Sequence, residues 1–174
     1  RRGALDAAQA AGTEAFETVQ AHNLRRHRGA TCDELGMLCF ARGHYTEAAR
    51  WFGASLTADR EAGRRERLGV TLVHVATLEA ARGQGLRALA SLQRAVALST
   101  ALRGATGPVR AEVYAALAEQ HVARSELEAA AADLARARAV SGAAATGPER
   151  FAIALGDAVL QLARRHYRGA RVAA

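Results

Sequence analysis

Lysine is absent from this chain. All 24 basic residues are arginine, and against 17 acidic residues they leave a formal net charge of +7. Taken alone, that excess suggests nucleic acid or an acidic surface as partner. A lysine-free chain rich in alanine, arginine and glycine is also what a GC-rich genome encodes. The charge is therefore discounted as a functional signal, and sequence-independent nucleic-acid binding through arginine-rich edges is kept as the alternative. Proline occurs only at Pro108 and Pro148, and aromatic residues make up 5% of the chain. With half the residues apolar and alanine dominant, strands are disfavoured and an almost wholly helical protein is expected. The two cysteines, Cys32 and Cys39, are seven apart. On one helix they lie roughly 10 Å from each other, too far for a disulfide, and no further ligands stand at metal spacing. They read as buried free thiols of a reducing cytoplasm. No run approaches the roughly 18 apolar residues of a membrane span, and no signal peptide is visible. Gly-x-x-x-x-Gly-Lys, Gly-x-Ser-x-Gly and His-Glu-x-x-His do not occur. The histidines His22, His27, His44, His74, His121 and His166 are scattered, so neither enzyme activity nor a cofactor is expected.

What is present is repetition. The phrase beginning Ala41-Arg42-Gly43-His44-Tyr45 returns at Ala81-Arg82-Gly83, Ala123-Arg124-Ser125 and Ala163-Arg164-Arg165, in steps of 40, 42 and 40 residues. A fixed period of roughly 20–50 residues signals a stacked array whose neighbours build one continuous core. Each phrase marks a turn between two helices. The helix before it carries Leu35-Gly36, Val75-Ala76, Leu117-Ala118 or, most weakly, Asp157-Ala158; the helix after it carries Ala48 and Phe52, Ala88 and Leu92, or Ala130 and Leu134. Gly36, Ala76, Ala118 and Ala158 are expected to face Ala48, Ala88, Ala130 and Ala170, because short side chains let antiparallel helices approach closely. Pro108 and Pro148, each after Ala-Thr-Gly, open two helices where a missing N–H costs nothing. Helices are expected at about 3–21, 25–41, 46–62, 66–81, 86–103, 109–123, 128–141, 149–163 and 167 onward.

The first repeat resembles the tetratricopeptide repeat, with Leu35-Gly36, Gly43, Tyr45, Ala48, Phe52 and Leu56 in register. The others depart from the pattern: Gly85 and Leu127 replace the turn tyrosine, and Ser125 and Arg165 replace the turn glycine. The resemblance implies an all-α α-solenoid of antiparallel helix hairpins. Its parts are a leading second helix at 1–24, repeats at 25–64, 65–105 and 106–146, and a truncated repeat at 147–174. Such a chain reads as a segment of a larger protein. Long-period repeats are similar to those of kinesin light chains and of bacterial regulators, which implies a scaffold for a protein or peptide, or for domains of the same chain, in signal transduction or transcription regulation.

By that resemblance a ligand lies in the concave groove of the first helices, at Asp33, Met37, Phe40, Val73, Thr77, Glu112, Glu119, Val122 and Val159. His74 and His121 fall near it as interface residues. The groove is expected to be apolar with acidic points, and Arg50, Arg87, Arg94, Arg136 and Arg168 to face outward. The column Arg42, Arg82, Arg124 and Arg164 forms a candidate basic edge. Two readings of it stand: a ladder for acidic peptide or phosphate, or cations placed in the last turn of each first helix by the macrodipole. A second edge, Arg25, Arg26 and Arg28 with Arg64, Arg65 and Arg67, is expected to be solvated.

Overall fold

A computed structural model describes residues 2–101, 107–142 and 147–172. Those residues form α1 (Arg2–Ala21), α2 (Arg25–Ala41), α3 (Tyr45–Glu61), α4 (Arg65–Ala81), α5 (Gly85–Ala101), α6 (Gly107–Ala123), α7 (Leu127–Ser141) and α8 (Gly147–Val172). There is no strand among the described residues. Pro108 and Pro148 each sit second in their helix, within the first turn where proline breaks no helical hydrogen bond.

The helices are joined by one repeated turn. Asn23, Gly43, Gly63 and Gly83, spaced 20 apart, take φ of +50°, +79°, +68° and +73°. In each turn two amides bond back to the helix end, as Gly43 N does to Phe40 O at 2.9 Å and His44 N to Cys39 O at 2.9 Å. This crossed pair satisfies carbonyls that a helix end leaves open. Leu24, His44 and Arg64 precede the helices that follow and give them no side-chain cap. Sequence repetition marked only every second turn, because glycine and its flanking alanine and arginine recur at that interval. The backbone makes the same turn twice as often.

The expected turn at Ala163–His166 and the ninth helix after it do not form, since α8 runs unbroken to Val172. Arg165 stands where Gly43 and Gly83 stand, and an arginine continues a helix more readily than it enters positive φ. Ser125 nevertheless turns, at φ +65°. There Glu126 accepts from His121 Nδ1 at 2.6 Å and Arg124 Nε at 2.9 Å, which clamps the turn. The corresponding places hold Gln161, Arg164 and His166, with no carboxylate to repeat the clamp.

The chain divides into two compact units, Arg1–Ser91 and Leu92–Ala174. In the first, α2 packs on α3, α1 packs on α2, and α4 packs on α3 and alongside α2. Its core is Cys39, Ala48, Phe52 and Leu78, flanked by Phe40, Tyr45, Trp51 and Val75. Gly36 lies beneath the Phe52 ring, where a Cβ would come within 2.5 Å of Cδ1. The size rule is therefore small under large here. In the second unit α6 packs on α7, and α8 packs on both. Ala118, Ala130, Leu134 and Leu160 form its core. Ala158 is exposed, and Gly156 takes the close approach instead, with Leu134 Cδ2 2.7 Å from where its Cβ would be. The side chains of Arg168 and Ala170 fall outside the described set. Both cysteines are free and buried, and burial pushes their thiols up, so neither is a ready nucleophile.

Ala88 is fully buried at the place Ala48 and Ala130 occupy in α3 and α7. Ala88→Leu is expected to destabilise by about 1–3 kcal/mol through overpacking. Thermal melts followed by circular dichroism check this, and a wild-type melting curve would break the register.

Candidate functional site

The face shared by α2 and α4 is built on their side-by-side packing in the first unit. Met37 on α2 and Thr77 on α4 occupy the same place one repeat apart, and both are exposed. The Thr77 hydroxyl donates to Val73 O of its own helix at 3.0 Å. Phe40 and Val73 are half-buried beside them, and Phe40 stacks on Tyr45 with ring centroids 5.6 Å apart. Asp33 is buried rather than open to a ligand. Its Oδ1 lies 2.9 Å from His74 Nδ1, which ties α2 to α4.

Beneath that pair runs a buried polar seam that the sequence did not announce. Arg67 Nη2 lies 3.7 Å from Asp33 Oδ2, and its Nε lies 3.4 Å from Asp59 Oδ2 on α3. One guanidinium thus serves two aspartates from two helices. Arg67 belongs to this seam and not to the solvated edge where its neighbours Arg64 and Arg65 suggested it. Burial pushes the Asp59 carboxyl up from its ordinary value, against the pull of Arg67 and Arg64. Gly29 gives Asp59 its room, since a Cβ there would collide with the carboxylate. Ser55 and Thr71 complete the seam with a hydroxyl–hydroxyl bond of 3.1 Å. The signal available in the sequence was a pair of aspartates at helix positions otherwise held by small or apolar residues.

In the second unit Glu119 on α6 and Val159 on α8 stand at the register place of Met37 and Thr77, and both are half-buried. Burial pushes the Glu119 carboxyl up. Glu112 is exposed, while Val122 packs against the Ala118–Leu134 core. His121 is held between Glu126 and Asp133, with Nε2 3.4 Å from Asp133 Oδ2. Hydrogen bonds from His121 and Arg124 hold the Glu126 carboxyl below the usual range.

The arginine column is largely committed within the chain. Arg42 pairs with Asp6 of α1, Arg124 with Glu126 at 2.9 Å and Arg164 with Glu128 at 3.4 Å. Arg82 is exposed and lines a shallow cleft of about 590 Å³ with His44, Tyr45 and Glu47. Arg42, Arg82 and Arg124 immediately follow the last residue of α2, α4 and α6, where a cation suits the dipole. Arg164 lies inside α8, so that reason does not extend to it. Arg50, Arg87, Arg94 and Arg136 are exposed on the second helices.

Among the described residues no group of three or more His, Cys, Asp or Glu could hold a metal ion. No helix among them is long and apolar enough to cross a membrane. No protein-family model and no curated protein matches the chain. Solved structures do. The nearly identical TPR-like repeats of a Podosopora anserina kinesin light chain superpose with a TM-score of 0.66 at 23% identity, over 98% of this chain and 83% of that one. A variant of the same protein gives a TM-score of 0.68 at the same identity and coverage. The chain has the all-α fold of the tetratricopeptide-like helical repeats.

Proposed function

We propose that the chain is a recognition module for a protein or peptide, engaged on the exposed face of its first helices. The observation that carries this is Met37 beside Thr77, exposed on two successive first helices that the Asp33–His74 bond ties together. An apolar side chain held on a rigid frame contributes contact at little ordering cost. In the second unit the half-buried Glu119 and Val159 hold the same register places. Nucleic acid is the weaker reading, because three of the four column arginines that suggested it already pair with carboxylates. The finer proposal is that the partner is a regulatory domain of the same larger bacterial protein, acting in signalling or transcription control. It rests on the lysine-free composition and the long repeat period.

Peptides selected from a displayed library against the chain test the proposal. Met37→Glu is expected to weaken them about tenfold or more, roughly 1.4 kcal/mol or above. Arg50→Glu on the exposed side of α3 is expected to leave them unchanged. Affinity is expected to vary little with salt, whereas phosphate-backbone binding falls steeply. Tight, salt-sensitive binding of a single-stranded oligonucleotide, with Met37→Glu silent, overturns the assignment.

A further inference from the structure

In the first unit the end of α1, the start of α2 and the end of α3 wall a cleft of about 510 Å³, within the roughly 300–1,000 Å³ of ligand-binding clefts. Val19, Leu24 and Ala58 give it an apolar wall, and Gln20, Arg25 and Arg28 bring hydrogen-bond donors. Arg28 stands nine residues before Met37 on α2. That is about 2.5 turns, so the two project from opposite sides of the helix. The cleft is therefore distinct from the Met37–Thr77 face.

Arginine is placed here against the preference of the helix. α2 opens Arg25-Arg26-His27-Arg28, and its first turn holds no acid. The positive end of a helix dipole favours acids, and α3, α4, α7 and α8 each set a glutamate there, at Glu47, Glu66, Glu128 and Glu149. A GC-rich composition accounts for the number of arginines but not for their gathering at the disfavoured end of one helix. From the next turn, Arg64 Nη1 donates to Arg26 O and adds a further cation to the edge. Among the described residues none of Arg25, Arg26, Arg28 and Arg64 is in an ion pair, and Glu61, which also lines the cleft, pairs with none of them. The register place of Arg28 returns at Arg150, which lines a shallow cleft of about 340 Å³ where α7 meets α8. There the charge is balanced within the chain, since Arg138 pairs with Asp157 and Glu149 stands in the first turn. At the start of α2 it is left for a ligand to neutralise.

We infer that the α1–α2–α3 cleft binds an acidic peptide segment, its aspartate or glutamate carboxylates gripped by Arg25 and Arg28 and a neighbouring aliphatic side chain laid on Val19, Leu24 and Ala58. Guanidinium forks match carboxylate geometry. A sugar–phosphate backbone would leave the apolar wall unused, and among the described residues no aromatic side chain lines the cleft for a base to stack on.

Fluorescence anisotropy with a labelled peptide of alternating Asp and Leu, beside its Asn and Leu counterpart, tests this on the whole chain. The acidic peptide is expected to bind about tenfold or more tighter than the neutral one, and to weaken as salt is added. Arg25→Glu with Arg28→Glu is expected to abolish binding, Glu61→Gln to tighten it, and Met37→Glu to leave it unchanged. Both arginines are exposed, and glutamate suits a helix start, so the double variant is expected to melt no lower than wild type. Arg28→Gln replaces it if circular dichroism shows unfolding. Equal binding of the two peptides, or acidic binding that survives the arginine variants, overturns the inference. Loss of acidic binding in Met37→Glu with the arginine variants silent overturns it in favour of the first-helix face. Tighter binding of a single-stranded oligonucleotide, lost in the arginine variants, overturns it in favour of phosphate. If library-selected peptides ignore Met37→Glu, the first-helix face fails and this cleft does not.

Discussion

Phe52→Ala is expected to cost about 3–5 kcal/mol, the range for emptying a phenylalanine site in a closed core. The ring is fully buried, belongs to the cluster with Cys39, Ala48 and Leu78, and reaches the His74 ring at a centroid distance of 5.9 Å. It also sits on Gly36, whose lack of a side chain leaves nothing to swing into the void. The cavity therefore persists. Because each repeat of an array contacts only the repeats beside it, the loss is expected to stay in the first unit. Amide hydrogen exchange by residue is the measurement: protection should fall in α2, α3 and α4 and remain in α6 and α7. A uniform fall across all helices would show one cooperative body in place of local stability.

Arg67→Met is expected to destabilise by about 3–5 kcal/mol at neutral pH, since removing one partner leaves buried charge uncompensated. Asp59 is 1% exposed, and with the guanidinium gone neither it nor Asp33 keeps that cation. The pH dependence follows from the direction of the Asp59 shift. Burial already raises this carboxyl above its ordinary value, so the folded state binds the proton more readily than the unfolded one. Stability then falls as pH rises from the ordinary carboxylate range to the raised value, and is flat above it. Removing Arg67 raises Asp59 further and widens that window. The variant should approach wild type in acid and diverge from it toward neutrality. Asp59→Asn in the Arg67→Met background should restore much of the loss, and urea denaturation of the four proteins at two pH values closes the cycle. Equal losses at both pH values, or no rescue, would show that Arg67 acts through packing of its stem.

The fold was legible where residue type and backbone need coincide. Gly43 and Gly83 mark turns because positive φ favours glycine, and Leu35, Gly36, Ala48 and Phe52 mark a hairpin because their sizes interlock. It was illegible where a turn depends on side-chain hydrogen bonds around it. Ser125 and Arg165 are both substitutes for glycine, and the three-residue arrangement His121–Glu126–Arg124 sets the two apart. The surface site was partly legible. Met37 and Thr77 follow from register alone, but Asp33 reads as a ligand contact until His74 and Arg67, both from α4, close on it. Such a cross-helix polar seam leaves no periodic trace, because it occurs once.

The common turn has a kinetic consequence. With the backbone bending identically after α1, α2, α3 and α4, local geometry cannot tell a helix whether to fold first onto its predecessor or its successor. Two hairpin phasings compete early, α1–α2 with α3–α4 against α2–α3 with α4–α5. What separates them is side-chain contact, with Phe52 over Gly36 favouring the α2–α3 phase. Enlarging Gly36 would therefore act on the order of folding events as well as on the finished structure.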